Sequence, residues 1–199
     1  MAGRTCFCIL FALFLPEMEA RDSSLPWGDL NLVIVTDVHS WVSGRKHQPY
    51  YNADYGDLWS FYYHVKQESD KKEKDVFLIN DGDIVEGTGM SDATTPDGLK
   101  LTPIIQKLPF DVMTTGNHEL YHDSSIANIL RHGGLAEHFR GKYITSNVGY
   151  KSTGKPLTRT HTHIKGKFTN NTYAAFGFLY NMKNHCPMVT VRTVEDTIV

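Results

Sequence analysis

The sequence is short of cysteine, of charge of one sign and of long apolar runs. Three cysteines in 199 residues exclude a disulfide-scaffold mini-protein. Twenty basic against 22 acidic residues leave a formal net charge of −2. That balance excludes nucleic-acid binding by bulk charge but leaves room for a small phosphorylated ligand, which needs local charge only. The one dense charge run, Asp70 to Asp75, mixes signs and reads as a solvated face. No apolar run reaches the roughly 18 residues of a bilayer span. No Gly-x-Ser-x-Gly elbow occurs, so a serine hydrolase has no support. Gly149 to Lys155 comes near a P-loop, but Pro156 stands where a Mg²⁺-holding hydroxyl belongs.

What is present begins with a targeting signal. Arg4 precedes the apolar run Cys6 to Leu15, Pro16 breaks it, and Ala20 offers a small residue. Residues 1–20 read as a secretory signal peptide, which predicts a secreted, extracellular product. Its removal leaves 199 − 20 = 179 residues, 21–199, and only Cys186 of the three cysteines. That cysteine is either a free thiol or one lacking its partner. Asn170-Asn171-Thr172 is a glycosylation sequon at Asn170, consistent with the same route.

The rest alternates strand and helix. Asn31 to Thr36 and Val76 to Ile79 are apolar, β-branched runs that predict strands buried on both faces. Leu58, Phe61, Tyr62 and Val65 share a helical face, as do Leu101, Ile104, Ile105 and Leu108, with Thr102 as cap and Pro103 in the first turn. Asp111 to Thr115 predicts a third strand, Asp123 to Leu130 a third helix ending before Gly133, and Tyr143 to Ser146 a fourth strand. Thr158 to Ile164 and Tyr173 to Leu179 read as a hairpin, and a new helix starts near the end of the chain. The sum is an α/β sheet with helices on its faces.

The chemistry follows the strands. Strand one runs into Asp37-Val38-His39, strand two into Asp81-Gly82-Asp83, and strand three into Gly116-Asn117-His118-Glu119. The separations, 83 − 37 = 46 and 117 − 83 = 34 residues, each accommodate a helix and a return strand. Ligands of open α/β sheets bind outside the carboxyl ends of the strands, so three loops converge there. Each set has a plain reading as well. Asp83 and Asn117 after glycine suit ordinary turns, and His118 suits a hydrogen-bonded loop. Those readings do not explain three such sets at successive strand ends.

In that order, Asp37-x-His39, Gly82-Asp83 and Gly116-Asn117-His118-Glu119 resemble the calcineurin-like metallophosphoesterases. Tyr143 to Val148 and Tyr51 to Leu58 are similar to the secreted 5′-nucleotidase branch. The resemblance covers residues 28 to 199. It implies a four-layer α-β-β-α fold and hydrolysis of phosphate esters, nucleotides or other small phosphoesters, at a dinuclear site. It implies two divalent ions, for which an oxygen and nitrogen donor set suits Zn, Mn, Fe or Co. Carried over, Asp37 and His39 bind one ion, Asp83 bridges both and Asn117 binds the other. His118 is then the catalytic acid beside the phosphate, and Asp81 and Glu119 support the ligands from behind.

The pattern also departs from that family. Its Gly-His-x-His segment has no counterpart here. His161-Thr162-His163 is the one close late pair, able to chelate from one strand face but read more simply as polar residues on an exposed strand. His122 suits a helix start, and His47, His64 and His185 have no partner in view. The resemblance therefore implies a fold incomplete at its C-terminus, an N-terminal portion of the family's domain. The competing reading is a catalytically inactive, truncated secreted protein that binds one metal or a partner.

Overall fold

The structure, a computed structural model, describes residues 25–198. The expected signal peptide at residues 1–20 lies outside the described residues.

The centre is a four-stranded parallel sheet of β1 (Leu30–Val35), β2 (Asp75–Asn80), β3 (Val112–Thr114) and β4 (Tyr143–Ile144), in that spatial order. The connections carry α1 (Tyr55–Lys71), the single turns α2 (Gly89–Asp92) and α3 (Thr102–Ile105), then α4 (Asp123–Leu130) and α5 (Leu135–His138). Each crossover steps in the same direction, and right-handed crossovers of that kind put the helices on one face. The main core lies there: Val33, Val35, Val76, Leu78, Met113 and Tyr143 meet Tyr62, Val65, Ile105, Ile129 and Phe139. This is the α/β fold that the sequence predicts.

Local chemistry sets the elements. Asp54 caps α1, accepting from the backbone N–H of Gly56 and Asp57 at 2.7 and 3.0 Å. Asp57 returns the bond to the Asp54 N–H at 2.9 Å, closing a capping box. On the predicted face of α1, Tyr62 is buried, but Phe61 is 50% exposed. Phe61 overhangs the sheet edge beside Trp27 and Leu30. The second predicted helix shrinks to the single turn α3. Thr102 is its first residue and donates to the Gly98 carbonyl at 3.4 Å instead of capping.

Beyond α5 come β5 (Val148–Tyr150), β6 (His161–Lys165), β7 (Thr172–Phe176), β8 (Val189–Val191) and α6 (Glu195–Ile198). β6 and β7 form the predicted antiparallel hairpin, which lies on the other face of the sheet. Tyr173 meets Phe77 of β2 with ring centroids 6.2 Å apart. Asp75 at the start of β2 accepts from the N–H groups of Phe168 and Thr169 at 2.9 and 3.1 Å. β2 is thus buried on both faces, as expected. β1 is not: it is the edge strand, and Leu30, Leu32 and Ile34 face outward and exposed. A parallel run reads the same at an edge as at the centre, so only topology separates the two.

β5 and β8 pair antiparallel over a second core of Leu120, Ile126, Val148, Leu157, Cys186 and Val189. Cys186 is free and buried. Burial first, and then Asp123, pushes its thiol up to about 11, so it packs and is no nucleophile at neutral pH. Asn170 is exposed in the turn between β6 and β7 at φ 57°, a left-handed conformation that asparagine tolerates. No helix of the described residues is long and apolar enough to cross a membrane.

Candidate metal centre

The three loops after β1, β2 and β3 meet at the carboxyl edge of the sheet. The first two prolong the parallel pairing past the strand ends. Asp37, His39 and Ser40 donate their N–H groups to the carbonyls of Gly82, Asp83 and Ile84 at 3.2, 2.9 and 2.7 Å. Asp37, His39, Ser40, Asp83 and Glu86 all have φ between 47° and 61°. Left-handed backbone costs non-glycine residues about 1–2 kcal/mol each and persists only where surroundings hold it. Five such residues in two touching loops mark a place where side-chain aim takes precedence over backbone comfort.

The glycines of the motifs have a steric role. A Cβ on Gly82 would collide with the backbone of Gly116, and one on Gly116 with the backbone and carboxylate of Asp83. Loops two and three can approach this closely only without those side chains.

Glu119 ties the loops together. It is 1% exposed, and its two carboxylate oxygens take four backbone N–H groups. One oxygen accepts from Asp83 and Gly116 at 2.9 and 2.8 Å, the other from Ile84 and Val85 at 2.7 and 3.1 Å. Burial pushes its pKa up, with the charge of Asp83 adding, while the N–H donors from Val85, Gly116 and Ile84 pull the other way.

Within this frame His39, Asp83 and His118 each bring one ligand atom to within 4.8 Å of the others. One Asp83 oxygen also accepts the His118 N–H at 2.8 Å. Asp37 stands beside this group, its carboxylate 3.8 Å from His39 Nε2 and its side chain 61% exposed. Asn117 donates its side-chain N–H to the Tyr121 hydroxyl at 2.8 Å, which leaves its carbonyl oxygen free. Asp81 lies close by. Desolvation, then the charges of Asp37 and Asp83, push its pKa up. Carboxylates crowded together this way favour a cation among them, and imidazole with carboxylate and amide oxygen is a donor set for a divalent transition ion. The residues therefore fit the implied metal.

Glu86 also borders this group, although no motif in the sequence marks it. One of its carboxylate oxygens is hydrogen-bonded to His118 Nδ1 at 2.7 Å, while the other is buried without a hydrogen-bond partner, 3.3 Å from His122 Nε2. The only signal was an acidic residue three positions after Asp83. His122 begins α4 with a mostly exposed ring. His47 lies beside Trp41, and His185 faces the carbonyl of Cys186. His161 and His163 lie on β6, outside this group.

A cleft of about 520 Å³ opens beside the centre, lined by His39, Glu86, Gly87, Asp92, Asp97, His118 and His122. Its wall carries three carboxylates and no lysine or arginine.

Comparison with known proteins identifies the fold and the family. The family model of the calcineurin-like phosphoesterases matches residues 30–191. An uncharacterized protein of Schizosaccharomyces pombe is 35% identical over 177 residues, covering 87% of this chain and 29% of that protein. A protein of Arthroderma benhamiae named as secreted is 31% identical over 182 residues, 87% of this chain and 26% of its own length. The crystal structure of 5′-nucleotidase from Candida albicans superposes with a TM-score of 0.81 at 36% identity, over 87% of this chain and 32% of that one. The chain thus spans about a third or less of the length of these relatives. It belongs to the calcineurin-like phosphoesterase family.

Proposed function

We propose that this chain carries the phosphate-handling part of a metal-dependent phosphoesterase acting on a small phosphorylated substrate of the nucleotide class. The observation that carries this reading is the convergence of His39, Asp83 and His118 beside a cleft whose carboxylates are not matched by any lysine or arginine. A phosphate ester needs positive charge, and the wall of the cleft supplies none of its own.

Asp37, His39 and Asp83 would hold one divalent ion, and Asp83 with the free carbonyl of Asn117 a second. When bound, such ions neutralise phosphate charge and lower the pKa of water into the neutral range. The chain's own residues do the remainder. His118 Nδ1 is engaged by Glu86, so its Nε2 is the atom left to hand a proton to the departing alcohol oxygen. Glu86 keeps the ring at one angle by accepting the Nδ1–H, so the proton delivered to the leaving group is the second one, carried on Nε2 of the imidazolium form. Glu119 keeps the Asp83 and Gly116 loops together. The signal-like residues 1–20, the exposed Asn170 and the relative named as secreted support a secreted, glycosylated product.

The test is turnover. With Mn²⁺ or Zn²⁺ the protein is expected to hydrolyse an aryl phosphate or a nucleoside monophosphate, and chelation is expected to abolish this. A phosphodiester assayed in parallel separates monoesterase from diesterase action. Metal binding without turnover on any of the three would favour the competing reading. A single converging group among the described residues is the observation behind that alternative.

Glu86→Gln is expected to lower kcat about tenfold with KM nearly unchanged, because the amide still reaches Nδ1 but carries no charge. Equal changes in both constants would instead indicate a distorted cleft.

A further inference from the structure

A second pair of histidines lies away from the centre. His161 and His163 stand two residues apart on β6, so both side chains leave the same face of the strand. That face points away from the sheet. Thr162 and Ile164, on the other side of β6, are covered, whereas His161, His163 and Lys165 are exposed. Five register pairs with β7 hold the strand, with Phe176 opposite His161 and Ala174 opposite His163. Ala174 leaves space beside His163, and the Phe176 ring flanks His161 at 5.8 Å.

The two imidazoles have centroids 5.4 Å apart, with ring planes at 89°. A metal–imidazole bond of about 2.0–2.1 Å puts the ion about 3.2 Å from the ring centre, so two rings on one tetrahedral ion have centroids about 5.2 Å apart. The observed spacing matches this within a few tenths of an ångström. His161 Nδ1 lies 3.2 Å from the Thr160 hydroxyl, which leaves Nε2 of that ring open. Lys165 lies two residues beyond His163 on the same exposed face, and across water its ammonium opposes a bound cation only weakly.

We propose that His161 and His163 form a surface site for one divalent transition ion, independent of the centre at the strand ends. Imidazole ligands suit Zn²⁺, Ni²⁺ and Cu²⁺, and a site open to water takes them in the order of their intrinsic affinities, Cu²⁺ and Ni²⁺ above Co²⁺. Water or a group from another molecule completes the coordination. The pair is preorganised by the ladder, so the second imidazole binds at high effective concentration.

Calorimetric titration of the metal-stripped full chain with Ni²⁺ tests this. The unchanged protein is expected to bind one equivalent more than His161→Ala/His163→Ala. Each single variant is expected to bind that equivalent about tenfold or more weakly, since a chelate loses its advantage when either arm is removed. His39→Ala is expected to keep it. Both side chains are exposed, so circular dichroism should be unchanged; should an alanine variant fail to fold, His161→Gln and His163→Gln make the same comparison. Equal stoichiometry and affinity in the unchanged and double-variant proteins would overturn the site. So would losses of twofold or less in the single variants, the result two independent imidazoles give.

Discussion

His118→Ala is expected to abolish turnover while the metal content of the protein stays the same. The expected loss in kcat is about 10²–10⁴-fold, the usual contribution of a positioned general acid. The structure makes this a sharp experiment, because His118 occupies two arrangements at once. Its ring is one of the three groups that converge at the centre. Its Nδ1 is also held by Glu86 at 2.7 Å. A ligand and a proton donor differ in what their removal does. Metal analysis after His118→Ala reads the first role, and the leaving group reads the second. An aryl phosphate with a very acidic phenol needs no proton at departure, so the loss should shrink there and persist on a nucleoside monophosphate. Loss of metal together with an equal loss on both substrates would make His118 a ligand and overturn the acid assignment.

The second large effect is on stability. Glu119→Gln is expected to destabilise the fold by about 2–6 kcal/mol, read as a lower midpoint of denaturant unfolding. Both oxygens of this buried carboxylate are saturated by N–H donors from two loops. A glutamine presents one oxygen and one amino group. Whichever way it turns, two backbone N–H groups face another donor, and each buried donor left unpaired costs about 1–3 kcal/mol. Metal affinity should fall in the same variant, because the Asp83 and Gly116 loops lose the group that clamps them. Glu119→Ala would leave all four donors unpaired and should be worse. A Glu119→Gln protein with unchanged stability and metal affinity would show that the clamp is dispensable.

The two experiments touch different layers of one device. Left-handed backbone at Asp37, His39, Asp83 and Glu86 sets where their side chains point, and Glu119 holds the Asp83 loop against the Gly116 loop. The glycines at 82 and 116 allow the loops to touch. The geometry of this edge therefore depends on residues that line no part of the cleft.

The sequence by itself determined a good deal. Alternating apolar runs and helical faces specified the α/β order, because burial acts on local periodicity. The three loop motifs were legible for a similar reason. Each begins within two residues of a strand end, and the parallel topology brings strand ends together whatever lies between. The β6–β7 hairpin was legible from two alternating segments and a polar turn.

Tertiary structure alone decided the rest. The partnership of Glu86 with His118 spans 32 residues and depends on how two loops fold over each other. The fourfold clamp by Glu119 had the same invisibility, since a carboxylate in a sequence does not say which N–H groups it meets. The exposure of Leu30, Leu32 and Ile34 followed from the place of β1 at the sheet edge. The fit of His161 and His163 to one ion required the ring separation itself. Periodicity and motif are properties of neighbours in the chain. Edge position, loop clamping and side-chain convergence are properties of neighbours in space, and only folding brings those together.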